Sequence, residues 1–309
     1  NSNEMKHSVM TYVFVAFLVV IGAFNASSQE TQSAPMVVET LFEYPSAPEE
    51  MQDWTERNNW LVENFWKPFD FKQKSVGQFQ LDHAFKTWTY PMRFANKEVV
   101  NKSVDKLIAT LAKHPTLLYQ FTRSAENNIY GSQAEVWIDE VYVKFLNALI
   151  KCKKISDIRK VRYQSQLNSL QNSLVGSKAQ KFDFIDRGGK SITFSPEAKY
   201  TIIEFGHSDC SDCQIARIHL ETNQKLQQLS KDNQVLVYFI IPDLDNENWV
   251  QQVSDYPHHW TVGASDSVEE VYDIRLSPTF YLIGPDRNIL LKNVTADEVV
   301  NTVIQLLEQ

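Results

Sequence analysis

Residues 201–213 read TIIEFGHSDCSDC, and this stretch predicts the fold of the second half of the chain. An apolar run rich in β-branched residues passes through a short polar turn into Cys210 and Cys213, which have the spacing C-x-x-C. Apolar residues then recur at roughly helical intervals, at Ile215, Ile218, Leu220, Leu226 and Leu229. The pattern predicts a buried strand, a loop and a helix whose first turn carries both cysteines. Backbone N–H groups and the helix dipole favour a thiolate there, as is typical of a thiol–disulfide exchange site.

The composition limits the class of protein. The 309 residues suffice for about two domains at roughly 100–200 residues each. Hydrophobic residues make up 43% and charged residues 22%, which predicts a packed globular core. The net charge of −8 argues against a nucleic-acid partner, because phosphate binding needs a basic surface. With only three cysteines, the chain is not a disulfide-stapled miniprotein, and Cys152 stands apart from the C-x-x-C pair.

Residues 1–28 have the features of a secretory signal peptide, with extra residues before Met5. Lys6 and His7 precede an apolar run over residues 9–24, and the small residues 26–28 follow it as a cleavage site. The run is shorter than the ~20 residues that a membrane span prefers, so we expect cleavage and export, for example to the periplasm. The alternative is an uncleaved segment that attaches the protein to the membrane. Residues 29–50 are polar and contain three prolines, which predicts a leader or linker.

Residues 51–175 predict a helical domain. Four apolar stripes recur at helical spacing, over residues 54–66, 99–111, 117–129 and 136–149. A fifth helical segment, residues 155–174, is polar and rich in Gln and Asn, and is expected to bridge to the next domain. The many aromatic residues could line a ligand groove, but stripes of this kind more often face the core. No residues in this region have a catalytic spacing.

Residues 176–309 predict a second domain with strands. Residues 181–194 alternate around the turn Arg187-Gly188-Gly189-Lys190, which indicates a β-hairpin. The strand at residues 200–205 and a helix reaching about residue 230 follow. Further strands are predicted at residues 235–241, 276–283 and 289–291, with short helices around residues 249 and 268–272 and a helix at the C-terminus. The predicted order is hairpin, β, α, β, α, β, β, α.

This order, with C-x-x-C at a strand-to-helix turn and Pro278 opening a later strand, resembles the thioredoxin fold. Residues 181–292 are similar to exported TlpA-like thiol–disulfide oxidoreductases, including the hairpin with Gly188-Gly189-Lys190. With its helical region, the chain resembles a bacterial family of secreted thioredoxin-like proteins whose N-terminal helical region has no assigned function. The segment FWKPFDF at residues 65–71 resembles the aromatic segment of that family. The resemblance implies an α/β C-terminal thioredoxin fold, a central mixed sheet flanked by helices, preceded by an all-α domain.

The resemblance also implies the roles of individual residues. Cys210 would be the nucleophile, and Cys213 would resolve the mixed disulfide formed with a client protein. Pro278, preceded by Ser277, matches the cis-proline that lies against the disulfide and holds the backbone that pairs with the substrate. Glu204 lies where thioredoxin carries a buried acid that exchanges protons with the resolving cysteine. The alternative for Glu204 is a strand residue that faces solvent or pairs with a lysine.

The implied partners are a client protein with a disulfide and an upstream electron donor, with no cofactor and no metal. Asp209 replaces the tryptophan that is usual before the first cysteine, and Ser211-Asp212 replaces Gly-Pro. Together with Ser277, these residues are expected to contact the client. The two carboxylates disfavour a thiolate at Cys210 and so favour the disulfide, which predicts a reductant rather than a strong oxidant.

Two other classes of protein stay open. The pattern His207-x-x-Cys210-x-x-Cys213-x5-His219 offers four metal ligands, although a helix does not readily place them around one tetrahedral ion. Copper delivery is disfavoured further by the scarcity of methionine. The second alternative is a non-catalytic thioredoxin-fold binding protein whose helical domain is the working surface, because a fold does not imply a function.

Overall fold

The computed structural model describes residues 39–195, 199–207, 209–244 and 248–308. The predicted signal peptide and residues 29–38 of the predicted linker lie outside the described residues. Within the described ranges, no helix has the length and apolar character that crossing a bilayer requires.

The first part of the described chain consists of helices. They are α1 (Trp54–Asn64), α2 (Gln78–Met92), α3 (Lys97–Leu111), α4 (Pro115–Ile129), α5 (Asp139–Lys151) and α6 (Asp157–Asn172). The four predicted stripes correspond to α1, α3, α4 and α5, and the polar fifth segment corresponds to α6. Helix α2 was not predicted, although its buried Leu81, Phe85 and Trp88 have helical spacing. The start of α2 gives no local signal, because Gly77 precedes it and supplies no side-chain cap.

Aromatic residues form much of the core of this helical region. Trp66 packs edge-on against Phe69 and Trp88, and its ring centroid lies 4.8 Å from that of Phe121. All four side chains are buried. The FWKPFDF segment therefore contributes mainly to packing, as the periodicity of the helices indicates.

The second part of the described chain folds into one sheet with helices on its faces. Its elements are β1 (Phe182–Asp186), β2 (Ser191–Phe194), β3 (Tyr200–Phe205), α7 (Ser211–Thr222), α8 (Gln224–Lys231), β4 (Val235–Ile241), α9 (Trp249–Gln252), β5 (Thr261–Ala264), a 3₁₀ turn (Val268–Glu270), β6 (Thr279–Ile283), β7 (Ile289–Val294) and α10 (Ala296–Leu307). The strand order is β2-β1-β5-β4-β3-β6-β7. Strand β4 pairs in parallel with β3 and β5, and the other pairs are antiparallel. The predicted fold class, helices followed by a mixed sheet flanked by helices, is confirmed.

Two details differ from the predicted order. Strand β5 was not predicted, because it has only four residues and includes Gly263. Gly263 lies directly against the Phe184 ring, a contact between distant parts of the sequence. The single helix predicted to reach residue 230 is broken at Asn223. The Asn223 side chain accepts a hydrogen bond from the Leu226 N–H at 2.9 Å and so begins α8 as a new helix.

Strand β3 lies at the centre of the sheet and carries the C-x-x-C segment at its end. It pairs with β4 on one side and β6 on the other, and residues 201–205 are buried. Side chains alternate between the two faces of a strand. Ile202 accordingly packs with the core beneath α7 and α10, and Ile203 and Phe205 pack with the aromatic residues of the opposite face. A strand covered on both faces needs a continuous apolar sequence, as the segment TIIEF nearly provides.

The helical and sheet regions pack together in one compact unit, residues 39–309. The change from helices to strands falls between Asn172 and Phe182. The predicted division into separate domains, residues 51–175 and 176–309, stays a prediction.

A buried network of four charges joins the two regions. Arg275 contacts Asp139, the first residue of α5, at 2.5 Å and Asp273 at 2.7 Å. Lys292 of β7 contacts the same two carboxylates, each at 2.7 Å. The side chains of Arg275, Asp273 and Lys292 are at most 5% exposed, and that of Asp139 is 17% exposed. Burial alone would raise the pKa of Asp273, but Lys292 and Arg275 hold that pKa below its ordinary value.

We predict that Asp139→Ala lowers the free energy of unfolding by about 3–5 kcal/mol, because it leaves one buried positive charge without a counter-charge. Urea unfolding at pH 7 measures the change. The matched control is Asp105→Ala, which removes a carboxylate that is 63% exposed and paired with Lys144, and should cost less than about 1 kcal/mol. Equal losses in the two variants would contradict the importance of the buried network.

Candidate active site

The two cysteines lie where β3 leads into α7. They form a disulfide, with a Cα–Cα distance of 5.2 Å. Cys210 is the N-cap of α7 and is half-buried, and Cys213 in the first turn is fully buried. The N–H of Cys213 donates to the Cys210 sulfur at 3.1 Å. In the reduced protein this N–H can stabilise a thiolate on Cys210, the more accessible of the two sulfurs.

The loop before β6 lies against this disulfide. The peptide bond between Ser277 and Pro278 is cis. The Ser277 carbonyl oxygen lies 3.4 Å from the Cys210 sulfur, and Thr279 Oγ1 donates to the Leu276 carbonyl at 2.6 Å, which closes the loop. The structure thus brings Ser277 and Pro278 to the cysteine pair, where the resemblance placed them. Their roles towards a client stay predictions.

Gly206 allows the end of β3 to approach Cys213 closely. A Cβ atom at this position would lie 2.9 Å from the Cys213 sulfur and 3.4 Å from the Phe239 ring. Any larger residue would therefore push the buried sulfur out of place. Sequence analysis did not single out Gly206; its position between the strand and the C-x-x-C motif is the signal that could have found it.

Glu204 is a buried acid on the Cys213 side of the sheet. Only 1% of the residue is exposed, and among the described residues neither carboxylate oxygen has a hydrogen-bond partner. Side chains two positions apart on a strand share a face, so Glu204 lies on the face where Gly206 meets Cys213. The alternative of a side chain that faces solvent or pairs with a lysine is wrong.

Burial changes the proton affinity of this carboxyl group. Desolvation raises the pKa of Glu204 from 4.5 to about 8. The positive charge of Arg217 acts in the opposite direction, and Glu221 raises the pKa further. The group can therefore gain or lose a proton near neutral pH, as proton exchange with a cysteine requires.

Arg217 connects this region to the surface. Its Nη1 lies 2.9 Å from Asp255 Oδ2 and 3.4 Å from Glu221 Oε1. Its guanidinium carbon lies 4.6 Å from the centre of the Tyr256 ring. These residues were not predicted as part of the site. The signal was the spacing of four between Cys213, Arg217 and Glu221, which places all three on one face of α7.

The residues that differ from the usual thioredoxin motif are the exposed sequence neighbours of Cys210. Asp209, Ser211 and Asp212 are all exposed, and the neighbouring His207 is half-buried. An acid in the first turn stabilises a helix, but it also opposes a negative charge on the adjacent sulfur. The predicted contacts of these residues with a client stay predictions.

The two histidines of the possible metal site do not join the two cysteines in one ligand group among the described residues. Both cysteine sulfurs are joined in the disulfide, and His219 Nε2 lies 2.7 Å from Asp297 Oδ1. In the part of the chain that the structure describes, no three His, Cys, Asp or Glu side chains are grouped as metal ligands. Cys152 is a free, half-buried cysteine that follows the last residue of α5.

Comparisons with known proteins agree with this architecture. Residues 22–173 match a family model described as "Domain of unknown function (DUF5106)". The crystal structure of a thioredoxin-like protein from Bacteroides caccae is 20% identical with a TM-score of 0.72, and the match covers 87% of this chain and 99% of that chain. The thioredoxin domain of a thiol-disulfide oxidoreductase from Bacteroides vulgatus is 26% identical with a TM-score of 0.38, over 43% of this chain and 97% of that chain. No curated protein matches the chain.

The Bacteroides caccae match includes both the helices and the sheet, since it covers most of both chains. The chain therefore has a thioredoxin-like fold preceded by a helical region. At this level of identity the likeness concerns the fold, and the chemistry has to be argued from the residues of this chain.

We predict that Glu204→Gln changes how stability depends on pH. With a pKa of about 8 when folded and 4.5 when unfolded, the folded wild type binds more protons between these values, so its stability falls as pH rises through this window and levels off above it. The glutamine variant lacks this loss. Its stability relative to wild type should rise by roughly 3–5 kcal/mol from pH 4 to pH 9.

Urea unfolding of the oxidised proteins across that pH range measures this difference. The matched control is Glu269→Gln, which alters an exposed glutamate and should give a profile parallel to wild type. A parallel profile for Glu204→Gln as well would contradict a raised Glu204 pKa.

Proposed function

We propose that this chain is an exported thiol–disulfide oxidoreductase, similar to the TlpA-like enzymes, that reduces disulfides in client proteins. One arrangement carries the proposal. The Cys210–Cys213 pair opens α7, and the cis-Pro278 loop lies against the Cys210 sulfur. The acid Glu204, which has no hydrogen-bond partner among the described residues, is buried on the Cys213 side. An accessible sulfur, a buried resolving sulfur and a nearby proton acceptor are the groups that disulfide exchange needs.

In the first step, the reduced Cys210 attacks one sulfur of a client disulfide as a thiolate. The client S–S bond breaks, a new bond joins Cys210 to that client sulfur, and the other client sulfur leaves as a thiolate that takes up a proton. The greater exposure of Cys210 suits it to this role, and the Cys213 N–H can stabilise its negative charge before the attack.

In the second step, Cys213 resolves the mixed disulfide. The Cys213 thiol gives its proton to the Glu204 carboxylate, and the resulting thiolate attacks the Cys210 sulfur. The bond between Cys210 and the client breaks, and the second client sulfur leaves and is protonated. The client has then gained two electrons, and the protein holds the Cys210–Cys213 disulfide. An upstream dithiol donor must reduce this disulfide before the next cycle.

The client would lie beside the cis-proline loop as an extended segment. Ser277 would pair with its backbone, because the Ser277 carbonyl is next to the reacting sulfur. Exposed Asp209, Ser211 and Asp212 would contact the chain that flanks the client disulfide. These contacts can form only when the client disulfide reaches Cys210 at the protein surface.

The charges around Cys210 support the reducing direction of the proposal. Asp209 and Asp212 are one and two residues away and exposed, so they oppose a thiolate on Cys210. A less stable thiolate makes the reduced form less stable relative to the disulfide, which is the property of a reductant. The signal-like segment over residues 1–28 supports action in the periplasm or another exported location.

A non-catalytic binding protein is the second candidate function. The observation in its favour is the unusual Ser211-Asp212 pair between the cysteines, which places an acidic residue directly before Cys213 in the sequence. In that case the helical region would be the working surface, and the cysteine pair would not exchange with client disulfides.

We predict that the chain without residues 1–28, when reduced and freed of reductant, reduces a protein disulfide such as those of insulin. Cys210→Ser should abolish the reaction. Cys213→Ser should accumulate a mixed disulfide with the client, because the step that releases the client is missing. Mass spectrometry detects this adduct, which added thiol should remove.

The matched control is Cys152→Ser, which removes the cysteine that lies outside the pair and should react as wild type does. The proposed function fails if the wild-type protein reduces no protein disulfide. It also fails if Cys210→Ser keeps the activity, because another group would then carry the reaction. Only the first of these results would favour the non-catalytic candidate.

A further inference from the structure

A cavity of about 320 Å³ lies beside the cis-proline loop, between the helical region and the thioredoxin-like region. Trp137, which precedes α5, forms its wall on the helical side. Leu276 and Pro278 of the loop, Ala216 of α7, and Asn293 and Ala296 near the start of α10 line the rest. The helical region thus supplies a side chain to a cavity at the candidate active site.

The cavity begins within one residue of the contact with Cys210. Leu276 and Pro278 are the two neighbours of Ser277, whose carbonyl oxygen lies 3.4 Å from the Cys210 sulfur. Ala216 follows Cys213 by three residues and so lies one helical turn further along α7. A polypeptide held at Ser277 with its sulfur at Cys210 would therefore lie next to residues that line this cavity.

The lining of the cavity suits an uncharged, apolar group. In the described part of the chain every lining residue is uncharged, so none of them would offset the charge of a phosphate or a metal ion. The volume is at the lower end of the roughly 300–1,000 Å³ of small-molecule pockets, which suits a side chain better than a cofactor.

Trp137 is held in place before any ligand arrives. Its Nε1 donates to the Gly131 carbonyl at 3.1 Å. The Arg275 guanidinium carbon lies 4.6 Å from the centre of its ring, and the same guanidinium is bound to Asp139 and Asp273. A wall fixed in this way loses little conformational freedom on binding, which increases affinity for a matching group.

We propose that this cavity binds an apolar side chain of the client polypeptide, and that Trp137 gives the helical region a part in client selection. The inference rests on the proposed function and specifies its substrate. The client is an extended segment in which an apolar residue, such as leucine, lies close in sequence to the disulfide-bonded cysteine. A charged client side chain would not bind at this subsite, because it would lose its water without gaining an opposite charge.

A set of synthetic peptide disulfides tests the inference with the full chain. Each peptide has one cysteine in a glycine–serine background, and a single leucine is placed in turn at each of three positions on either side. The rate constant for reaction with reduced protein is measured for each. Leucine at one or more positions should raise the rate constant about tenfold over the leucine-free peptide, as an apolar group does in a matching pocket.

Two variants alter the cavity in opposite ways. Trp137→Ala removes the wall, and Ala296→Leu fills the cavity, so each should bring the ratio of rate constants for leucine and leucine-free peptides close to one. The matched control is Trp54→Ala, which removes another tryptophan of the helical region. Trp54 is 59% exposed and does not line the cavity, so this variant should keep the wild-type ratio. Circular dichroism identifies which variants are folded.

Oxidised mercaptoethanol is a small disulfide without side chains. Its reaction distinguishes a failure of the proposed function from a failure of the subsite alone. If wild type reacts with neither this compound nor the peptides, the proposed function itself fails. If wild type reacts but leucine at no position raises the rate constant, only the subsite is refuted. A leucine preference that persists in both folded cavity variants, or in the one that folds, also refutes it.

Discussion

The pairing of Arg275 and Lys292 with Asp139 and Asp273 is the constraint on which the arrangement of the two regions depends. Charges removed from water have to meet opposite charges at close range, so the elements that carry them can take only a narrow range of positions. Here those elements are the start of α5, the segment before the cis-proline and strand β7. The network therefore holds the loop of Pro278 in a fixed relation to the helices.

This relation has a direct consequence for the candidate active site. Arg275 lies two residues before Ser277, and its guanidinium carbon lies 4.5 Å from the centre of the Tyr130 ring and 4.6 Å from that of the Trp137 ring. One side chain thus positions both the loop that touches Cys210 and the tryptophan that bounds the adjacent cavity. Glu204 of β3 differs from the paired charges of this network, because it is a buried acid without a hydrogen-bond partner among the described residues. Ionising such a carboxyl group costs free energy, because burial removes the water that would solvate its charge. Proteins keep groups of this kind mainly at functional sites, for example where a proton has to be exchanged.

The sequence predicted those features that depend on local patterns. The fold was predicted from three patterns: the C-x-x-C motif after an apolar run, the alternation around Gly188-Gly189, and the Pro278 that opens a strand. The same patterns predicted that Cys210, Cys213 and Pro278 lie close together. The burial of Glu204 was left open, because a single acid in a strand can face either side. Helix α2 and strand β5 were missed. The first lacks a side-chain cap, and the second is short and is stabilised by neighbouring strands.

The charged clusters could not be found from the sequence in the same way. Arg275 and Asp139 are far apart in the chain, and each by itself has the character of a solvated surface charge. Only the packing of the helical region onto the sheet brings them together and excludes water. Trp137 is a similar case, since its apolar stripe predicted a core residue and the fold places it at the edge of a cavity. Long-range contacts of this kind decide what the site can bind, whereas local sequence decides where the cysteines are.

The redox potential of the Cys210–Cys213 pair tests the central claim most directly. Equilibration of the protein with mixtures of oxidised and reduced dithiothreitol or glutathione, followed by thiol labelling, measures it, with Cys210→Ser as the control that cannot titrate. We predict a reversible two-electron transition more negative than about −200 mV, nearer to the ~−270 mV of thioredoxin than to the ~−120 mV of a strong oxidant. A pair that forms no reversible disulfide, or a potential near −120 mV, would contradict a disulfide reductant.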